Sequence, residues 1–407
     1  MQQQFIKFTK KVALVACAII GLIGFLYVFI KGLDSLKTQY ANNKKLQFYE
    51  NLRTMYSNGD SSKWERAHID TSVLEDFAKE LGLNDIGNVK NLARILAHLE
   101  IKPLPKEPPY PKENPFSEEK RALGEKLFND PRLSKSEQIA CASCHDKEFG
   151  FSDGRRVSYG HNRAQGRRNA PSIIMSAFGS HRFYDGRAKN LEMQVFFPIA
   201  DPKEMAYSAE LAAKKLNTIK EYKDEFEKTF GTREITQELM AQAIATYERS
   251  LMPRHNNFDK FLLGDSNALS NKEILGLHLF RTKARCINCH NGVALSDDRF
   301  HNLGHAWYGT KWQDFGRYEI TGQISDVAKF KTPSLRGVSK SAPYMHNGRY
   351  PDFDVVLHSY NAGMYHWEPK NEQERNDPLF PITDSLLIEL HLSDEEVEAL
   401  KAFLMTL

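Results

Sequence analysis

The first strong hydrophobic pattern in the chain is an apolar run close to the N-terminus. Val12 to Ile30 gives 19 consecutive residues without a charge, which is long enough for a helix that crosses a membrane. Three lysines precede the run, so the positive-inside rule places residues 1–11 in the cytoplasm and everything after Lys31 on the other side. The pattern predicts a single-pass transmembrane anchor at residues 12–30.

Two other interpretations of this run are open. A cleaved signal peptide has a shorter apolar core that ends in small residues, whereas this run ends in the bulky sequence Phe25–Ile30. Leu14 to Cys17 resembles a lipidation motif, but apolar sequence continues for 13 residues beyond Cys17. An uncleaved anchor is the interpretation that we favour.

The next segment, residues 31–101, has apolar residues at helical spacing. It includes two isolated histidines, His68 and His98, which are more often packing or surface residues than ligands. Six prolines follow within residues 102–115, and such a stretch is extended and stiff. We interpret it as a linker between the membrane-proximal segment and the rest of the protein.

The remaining sequence contains a weak internal repeat. Leu123-Gly-x-x-Leu127-Phe128 matches Leu275-Gly-x-x-Leu279-Phe280. Helices are predicted from Ser117, within residues 203–252, and from Ser393, where Ser393 and Glu396 form a capping-box pattern. The repeat favours two small helical domains of related design, at residues 116–265 and 266–407.

Each half of the repeat is followed by the same chemical motif. Cys141-Ala-Ser-Cys144-His145 and Cys286-Ile-Asn-Cys289-His290 are Cys-x-x-Cys-His sequences. Two cysteines at this spacing can form thioethers with the vinyl groups of a haem, and the adjacent histidine can bind the iron. A structural zinc site or a disulfide is the alternative, but neither needs a histidine directly after the second cysteine. The motifs predict two covalent c-type haems.

Composition argues against some classes of partner, and the cysteine motifs indicate the cellular compartment of the protein. The 55 basic residues nearly cancel the 52 acidic ones, so the net charge of +3 indicates neither nucleic-acid binding nor an acidic substrate. Covalent haem attachment takes place outside the bacterial inner membrane, so residues after the anchor are expected in the periplasm. The predicted fold class is mostly α: two cytochrome c-like haem domains, preceded by the transmembrane helix and the small helical segment.

Eight motifs in a fixed order give the chain a family resemblance from about Asn114 to Leu407. The sequence resembles the bacterial dihaem cytochrome c peroxidases and their relatives that mature a tryptophylquinone cofactor in a partner protein. The motifs are Cys141–His145, Gly160-His161, Arg168–Ser172, Asp185–Ala188, Asp201–Met205, Cys286–His290, Phe330–Arg336 and Ala342–Gly348.

The resemblance implies a role for each half. The haem held by His145 would be peroxidatic, and the one held by His290 would transfer electrons. His161 matches a distal ligand that leaves the iron when the other haem is reduced, and Glu204 matches the distal acid. A calcium site would be formed by Asn169 and the carbonyl groups of Ser341 and Pro343, since calcium prefers oxygen donors.

Two positions depart from the pattern of the classical peroxidases. Tyr184 stands between the haems where the family usually has tryptophan, and oxidation of a phenol releases a proton. Tyr360 stands where those peroxidases have the methionine ligand of the second haem, and the quinone-maturing relatives have tyrosine. Four other residues near Tyr360 are alternative ligands: Met345, His346, His358 and Met364.

Three functions follow from these features. The first is a membrane-anchored cytochrome c peroxidase that reduces hydrogen peroxide to water with electrons from a c-type cytochrome or the quinol pool. The second is a peroxide-dependent oxidase of protein side chains, which Tyr360 favours and His161 disfavours. The third is a plain dihaem electron carrier, for which Glu204 would have no use. We favour the first; the oligomeric state, with a homodimer as one form, is open.

Overall fold

The computed structural model describes residues 2–56, 64–83 and 85–407 of the chain, and the side chains of residues 2–23, 25 and 28 lie outside that description. The chain divides into two compact units, Met1–Thr54 and Met55–Leu407. The described part is mostly helical, as predicted, with one two-stranded antiparallel sheet that pairs Phe300 with Lys331.

The helices and strands follow in chain order. They are α1 (Gln2–Tyr56), α2 (Thr71–Glu80), α3 (Val89–Leu99), α4 (Glu118–Phe128), α5 (Leu191–Ala200), α6 (Ala209–Leu216), α7 (Lys220–Phe230), α8 (Gln237–Ser250), α9 (Asn257–Leu262), α10 (Asn271–Arg281), β1 (Phe300–His301), α11 (Tyr318–Thr321), β2 (Phe330–Lys331), α12 (Phe353–Asn361), α13 (Glu372–Arg375) and α14 (Asp394–Leu404).

The predicted anchor at residues 12–30 lies within α1, but most of its side chains are outside the described residues. Among the residues that the structure does describe, none of the helices combines the length and the hydrophobicity that a membrane span needs. Membrane insertion therefore stays a prediction.

The internal repeat corresponds to two similar helix pairs. Gly124 of α4 lies against α8, where an added Cβ would be 1.9 Å from the carbonyl oxygen of Ala243. Gly276 of α10 lies against α14, where an added Cβ would be 2.1 Å from the carbonyl oxygen of Ala399. The glycine shared by the two halves of the repeat thus allows close helix packing in both.

Side-chain caps fix the ends of these helices. The hydroxyl of Ser117 accepts a hydrogen bond from the amide of Lys120 at the start of α4. Ser393 and Glu396 form the capping box at the start of α14. Each such cap satisfies an amide group that has no partner within its helix.

The segment before the prolines packs against the second Cys-x-x-Cys-His motif. The amide of Asp70 donates to Oδ1 of Asn288 at 2.8 Å, and Nδ2 of Asn288 donates to the carbonyl oxygen of His68 at 3.0 Å. Asp70 also forms an ion pair with Arg285. Helices α2 and α3 share a small core that also contacts Leu386. The segment therefore covers the loop between Cys286 and Cys289.

Residues 102–115, predicted as a linker, contain no helix or strand but belong to the second compact unit. The amide of Leu104 donates to Oδ1 of Asp259 at 2.9 Å, and Arg336 donates to the carbonyl oxygen of Lys102 at 2.9 Å. The stretch is thus fixed to the body of the protein rather than spanning between two separate units.

Candidate haem-binding and peroxide site

The two motifs have the same local structure. Cys141–Ser143 and Cys286–Asn288 each form one turn of 3-10 helix, and neither motif contains a disulfide. Nδ1 of His145 lies 3.0 Å from the carbonyl oxygen of Phe151, and Nδ1 of His290 lies 2.9 Å from that of Leu295. A carbonyl that accepts from Nδ1 leaves Nε2 free for a metal, which is how iron-binding histidines are usually held.

Burial keeps both histidines in the form that binds iron. It lowers the pKa of His145 and His290, although backbone carbonyl groups act in the opposite direction. The imidazoles are therefore neutral near pH 7 and offer a nitrogen lone pair. Both fit the haem ligands that the sequence predicts.

A single cavity is lined by residues of both halves. Its empty space is about 2650 Å³, open solvent at its mouths included, and its lining contains His145, Cys286, Cys289 and His290. Most of the other lining side chains are apolar, such as Ile173, Phe178, Leu357 and Leu400. The donor set and the apolar walls fit two porphyrins attached at the two motifs.

His161 and Glu204 meet beside the first motif. The amide of His161 donates to the carbonyl oxygen of Glu204 at 2.8 Å. Nδ1 of His161 is buried without a hydrogen-bond partner in the described chain, as expected for a side chain that binds a group other than the protein. Glu204 is also close enough to Cys141 and Cys144 to raise the pKa of both thiols, adding to the larger effect of burial.

The environment of Glu204 raises the pKa of its carboxyl group. Burial is the main cause of the raised pKa of this carboxyl, the charge of Asp201 adds to it, and Arg187 acts in the opposite direction. A raised pKa makes the carboxylate a stronger base, which suits it to accept and return a proton in general acid–base catalysis.

Tyr184 lines the cavity between the two motifs. Its ring lies 6.3 Å from that of the buried His346, which stacks on Phe330 with ring centroids 3.5 Å apart. Burial raises the pKa of Tyr184, although the charge of Arg168 acts against that shift. The phenol is therefore neutral at physiological pH, and its oxidation would have to release a proton.

Tyr360 lies in the wall of the same cavity. Burial raises the pKa of its phenol, and the sulfur atoms of Cys289 and Cys286 contribute to the shift, which places Tyr360 near the second motif. Of the alternative ligands, Met345 and His346 line the cavity as well. His358 is exposed, and its Nδ1 lies 2.7 Å from the carbonyl oxygen of Asp354, which makes it a poor candidate.

The three predicted calcium ligands also share the cavity wall. Asn169, Ser341 and Pro343 are all among its lining residues. The amide of Asn169 donates to the carbonyl oxygen of His346 at 2.8 Å, which joins the two segments that carry these residues. Nδ2 of Asn169 donates to the carbonyl oxygen of Arg155 at 2.7 Å, so the side-chain oxygen is oriented away from that contact.

A charged cluster beside the second motif was not predicted. Nε2 of His301 lies 2.9 Å from Asp297, and Nδ1 lies 2.6 Å from Asp384. Burial opposes the charge of His301, but Cys289 and the two carboxylates outweigh it and raise its pKa to about 12. These residues have metal-ligand types, but Cys289 belongs to the haem motif, so the cluster is better described as an imidazolium between two carboxylates. The spacing of Asp297 and His301, four residues apart after the motif, was the available signal.

Comparisons with known proteins identify the family to which the chain belongs. The family model of the di-haem cytochrome c peroxidases matches residues 118–267. The chain is 42% identical over 227 residues to the cytochrome c551 peroxidase of Nitrosomonas europaea, covering 56% of this chain and 68% of the relative. The chain belongs to the di-haem cytochrome c peroxidase family. The sequence prediction of the family is confirmed.

Other members of the family are similar over longer stretches. The methylamine utilization protein MauG of Methylorubrum extorquens is 37% identical over 262 residues, which cover 64% of this chain and 73% of the relative. The crystal structure of a MauG-like protein associated with microbial copper homeostasis has a TM-score of 0.67 and 31% identity, covering 75% of this chain and 94% of that chain. Family membership supports two c-type haems and peroxidase activity for this chain.

Proposed function

We propose that this di-haem peroxidase reduces hydrogen peroxide to water at the first haem, with electrons that enter through the second haem from a c-type cytochrome or the quinol pool. Each peroxide takes up two electrons and two protons and yields two waters. The observation that carries the proposal is the contact between His161 and Glu204 beside Cys141 and Cys144. A plain electron carrier would need neither residue.

Glu204 and His161 have separate tasks in this proposal. When bound, the haems supply the iron and the electrons that cleavage of the oxygen–oxygen bond requires. Glu204 would accept a proton from one oxygen of peroxide and return it to the oxygen that leaves as water. His161 would hold the first haem at rest and would move away to admit peroxide, as its buried and unbonded Nδ1 permits.

Tyr184 and Tyr360 would both contribute to electron transfer through the two haems. Tyr184 would relay electrons between the haems, since it lies in the cavity wall with His346 beside it. Tyr360 would bind the second iron and, as an anionic ligand, would lower the potential of that haem. Calcium at Asn169, Ser341 and Pro343 would hold the two segments together.

The proposal includes the location of the enzyme. Residues 12–30 would anchor the protein in the inner membrane, with the catalytic part in the periplasm. The uncharged run and the lysines before it support this topology. Cell fractionation with protease treatment of spheroplasts tests it: a periplasmic location predicts digestion of the haem-containing part from outside.

A second candidate function is oxidation of a partner protein's side chain with peroxide. The position of Tyr360 near Cys286 and Cys289 favours it, as does the similarity to a MauG protein. Peroxide consumption with a reduced c-type cytochrome separates the candidates. Stoichiometric oxidation of two cytochromes per peroxide supports the peroxidase. Failure to oxidise the cytochrome, together with a new covalent cofactor in a partner protein, supports the oxidase.

A further inference from the structure

Glu248 is a buried carboxyl group for which neither candidate function above gives a role. It lies in the second half of α8 and lines the haem cavity, with only 4% of its surface exposed. Its Oε2 has no hydrogen-bond partner within the described chain. A buried polar atom without a partner is costly, so its presence in a cavity wall indicates a function connected with what fills the cavity.

The charged groups around Glu248 do not neutralise it. Arg249, the next residue of α8, forms a two-pronged ion pair with Glu192 of α5 at 2.6 and 2.8 Å. Arg182 faces Glu248 from the loop before α5, but its terminal nitrogen donates to the carbonyl oxygen of Gly179 at 2.6 Å. Arg249 is thus committed to another carboxylate. Arg182 acts on Glu248 through its charge, and no hydrogen bond joins these two side chains in the described chain.

Nε of Arg182 and Oε1 of Gln194 are among the other polar atoms of the cavity wall that lack partners in the described chain. Arg182 is close enough for its charge to act on Glu248, so these two side chains form a polar patch in a wall that is otherwise mostly apolar. The patch lies on the side of the first haem, since Glu248 is close enough to Cys141 to raise the pKa of that thiol, after the larger effect of burial.

The carboxyl group of Glu248 can gain or lose its proton near physiological pH. Burial raises the pKa of this carboxyl to about 8; Arg182 and Arg249 oppose the shift, and Glu192 adds to it. Because the interior screens charges weakly, a change of one charge at the neighbouring iron changes the proton affinity of the carboxyl. By linkage, the proton then changes the electron affinity of the haem by the same free energy.

We propose that Glu248 stores a proton for the first haem: its carboxylate takes up one proton when that haem gains an electron and releases it when the electron is passed on. The site gains one electron and one proton together and later loses both, so its net charge is unchanged. The proposal rests on the proposed function, because the stored electron and proton are a pair of the kind that peroxide reduction consumes. Glu248 acts on the first haem through its proton and its charge, and it need not touch peroxide.

The test is a redox titration of the first haem in the intact holoenzyme between about one unit below and one unit above the carboxyl's pKa of about 8. In the unmodified protein the midpoint potential should fall by up to about 59 mV per pH unit, the value for one proton per electron. In the Glu248→Gln variant the slope should flatten, and the potential at alkaline pH should stay near its acid value. Glu238→Gln, an exposed acid on the same helix, should keep the slope.

Infrared difference spectroscopy provides a second measurement, which detects the proton on the carboxyl group directly. Reduction of the unmodified protein should produce the carbonyl band of a protonated carboxylic acid, and this band should be missing in Glu248→Gln and present in Glu238→Gln. A slope that is equal in all three proteins, or a reduced-minus-oxidised spectrum without that band, would overturn the proposal.

The outcomes separate this inference from the function on which it rests. Peroxide turnover with no pH dependence of the first haem's potential contradicts the role of Glu248 alone. A pH-dependent potential that is lost in Glu248→Gln, in a protein that does not turn over peroxide, contradicts the proposed function alone.

Discussion

The amide of His161 donates a 2.8 Å hydrogen bond to the carbonyl oxygen of Glu204, and this bond joins the loops that carry the candidate distal ligand and the candidate distal acid. Gly160 makes the contact possible. An added Cβ at this position would be 2.0 Å from the carbonyl oxygen of Lys203 and 2.6 Å from Cα of Glu204. The missing side chain therefore determines how close the two loops can lie.

The Gly160→Ala substitution should separate these loops. Because displacement of a catalytic group by about 1 Å can cost about 100-fold in rate, we expect peroxide turnover to fall by about that factor while both haems stay attached. Gly166→Ala is the matched control, since an added Cβ there would have its nearest atom 4.0 Å away. Steady-state turnover with haem staining of both variants checks this, and equal rates in both would contradict the role of the contact.

Tyr360→Phe should remove the phenol ligand from the second haem. We expect a changed electron paramagnetic resonance and near-infrared spectrum of the oxidised protein, and a higher midpoint potential of that haem because an anionic donor is lost. Tyr350→Phe is the control, since Tyr350 packs on His305 with ring centroids 5.0 Å apart. A spectrum of Tyr360→Phe that matches the unmodified protein would assign the ligand to Met345, His346 or another residue.

The ion pair of Arg336 with Asp259 should be important for stability. Both side chains have no exposed surface, their charged atoms are 3.0 Å apart, and both also bind the backbone of residues 102–104. Removing one partner of a buried pair leaves an uncompensated charge, so Asp259→Ala should lower the free energy of unfolding by about 3–5 kcal/mol. Glu398→Ala, which breaks an exposed pair with Lys272, should cost about 1 kcal/mol or less. Denaturant titration measures both, and equal losses would contradict the prediction.

The pairing of Asp314 with Arg168 should make the protein sensitive to acid. Burial alone would raise the pKa of Asp314, but two hydrogen bonds of 2.8 Å and the charge of Arg168 outweigh it and lower the pKa from 3.8 to about 2. The folded pKa is the lower one, so this contribution is present above pH 3.8 and is lost as the pH falls through about 2. A shift of this size corresponds to about 2 kcal/mol.

Thermal unfolding measured from about pH 7 down to about pH 2 tests that prediction, because this range includes the pKa of Asp314 in both the unfolded and the folded protein. Asp314→Asn should be less stable near neutral pH and should lose less stability in acid than the unmodified protein. Asp265→Asn, at an exposed position, should follow the unmodified protein closely. Parallel pH curves for all three proteins would show that Asp314 does not contribute to the acid transition.

Local signals in the sequence predicted local structure well. The capping residues Ser117 and Ser393 begin helices where expected, and the repeated glycines Gly124 and Gly276 occupy equivalent helix contacts. These features depend on residues a few positions apart. The family and its haem chemistry followed from motifs that are equally local.

The features that sequence reasoning missed depend on contacts between distant segments. Nothing near Asp70 indicates that it binds Asn288, so the covering of the second motif by the segment before the prolines was not foreseen. In the sequence Glu248 is an ordinary polar residue of α8. Only the packing of Arg249 against Glu192 shows that Oε2 of Glu248 is left without a partner among the described residues. Such relations arise from tertiary packing, which periodicity and spacing do not specify.

The most direct test of the account is peroxide turnover by Glu204→Gln with a reduced c-type cytochrome, alongside Glu210→Gln, which changes an exposed acid of α6. We expect Glu204→Gln to keep both covalent haems and to lose about 100- to 10,000-fold in rate, because glutamine cannot carry the proton between the peroxide oxygens. Glu210→Gln should retain full activity. Full activity in Glu204→Gln with both haems attached would contradict the assignment of the peroxide site.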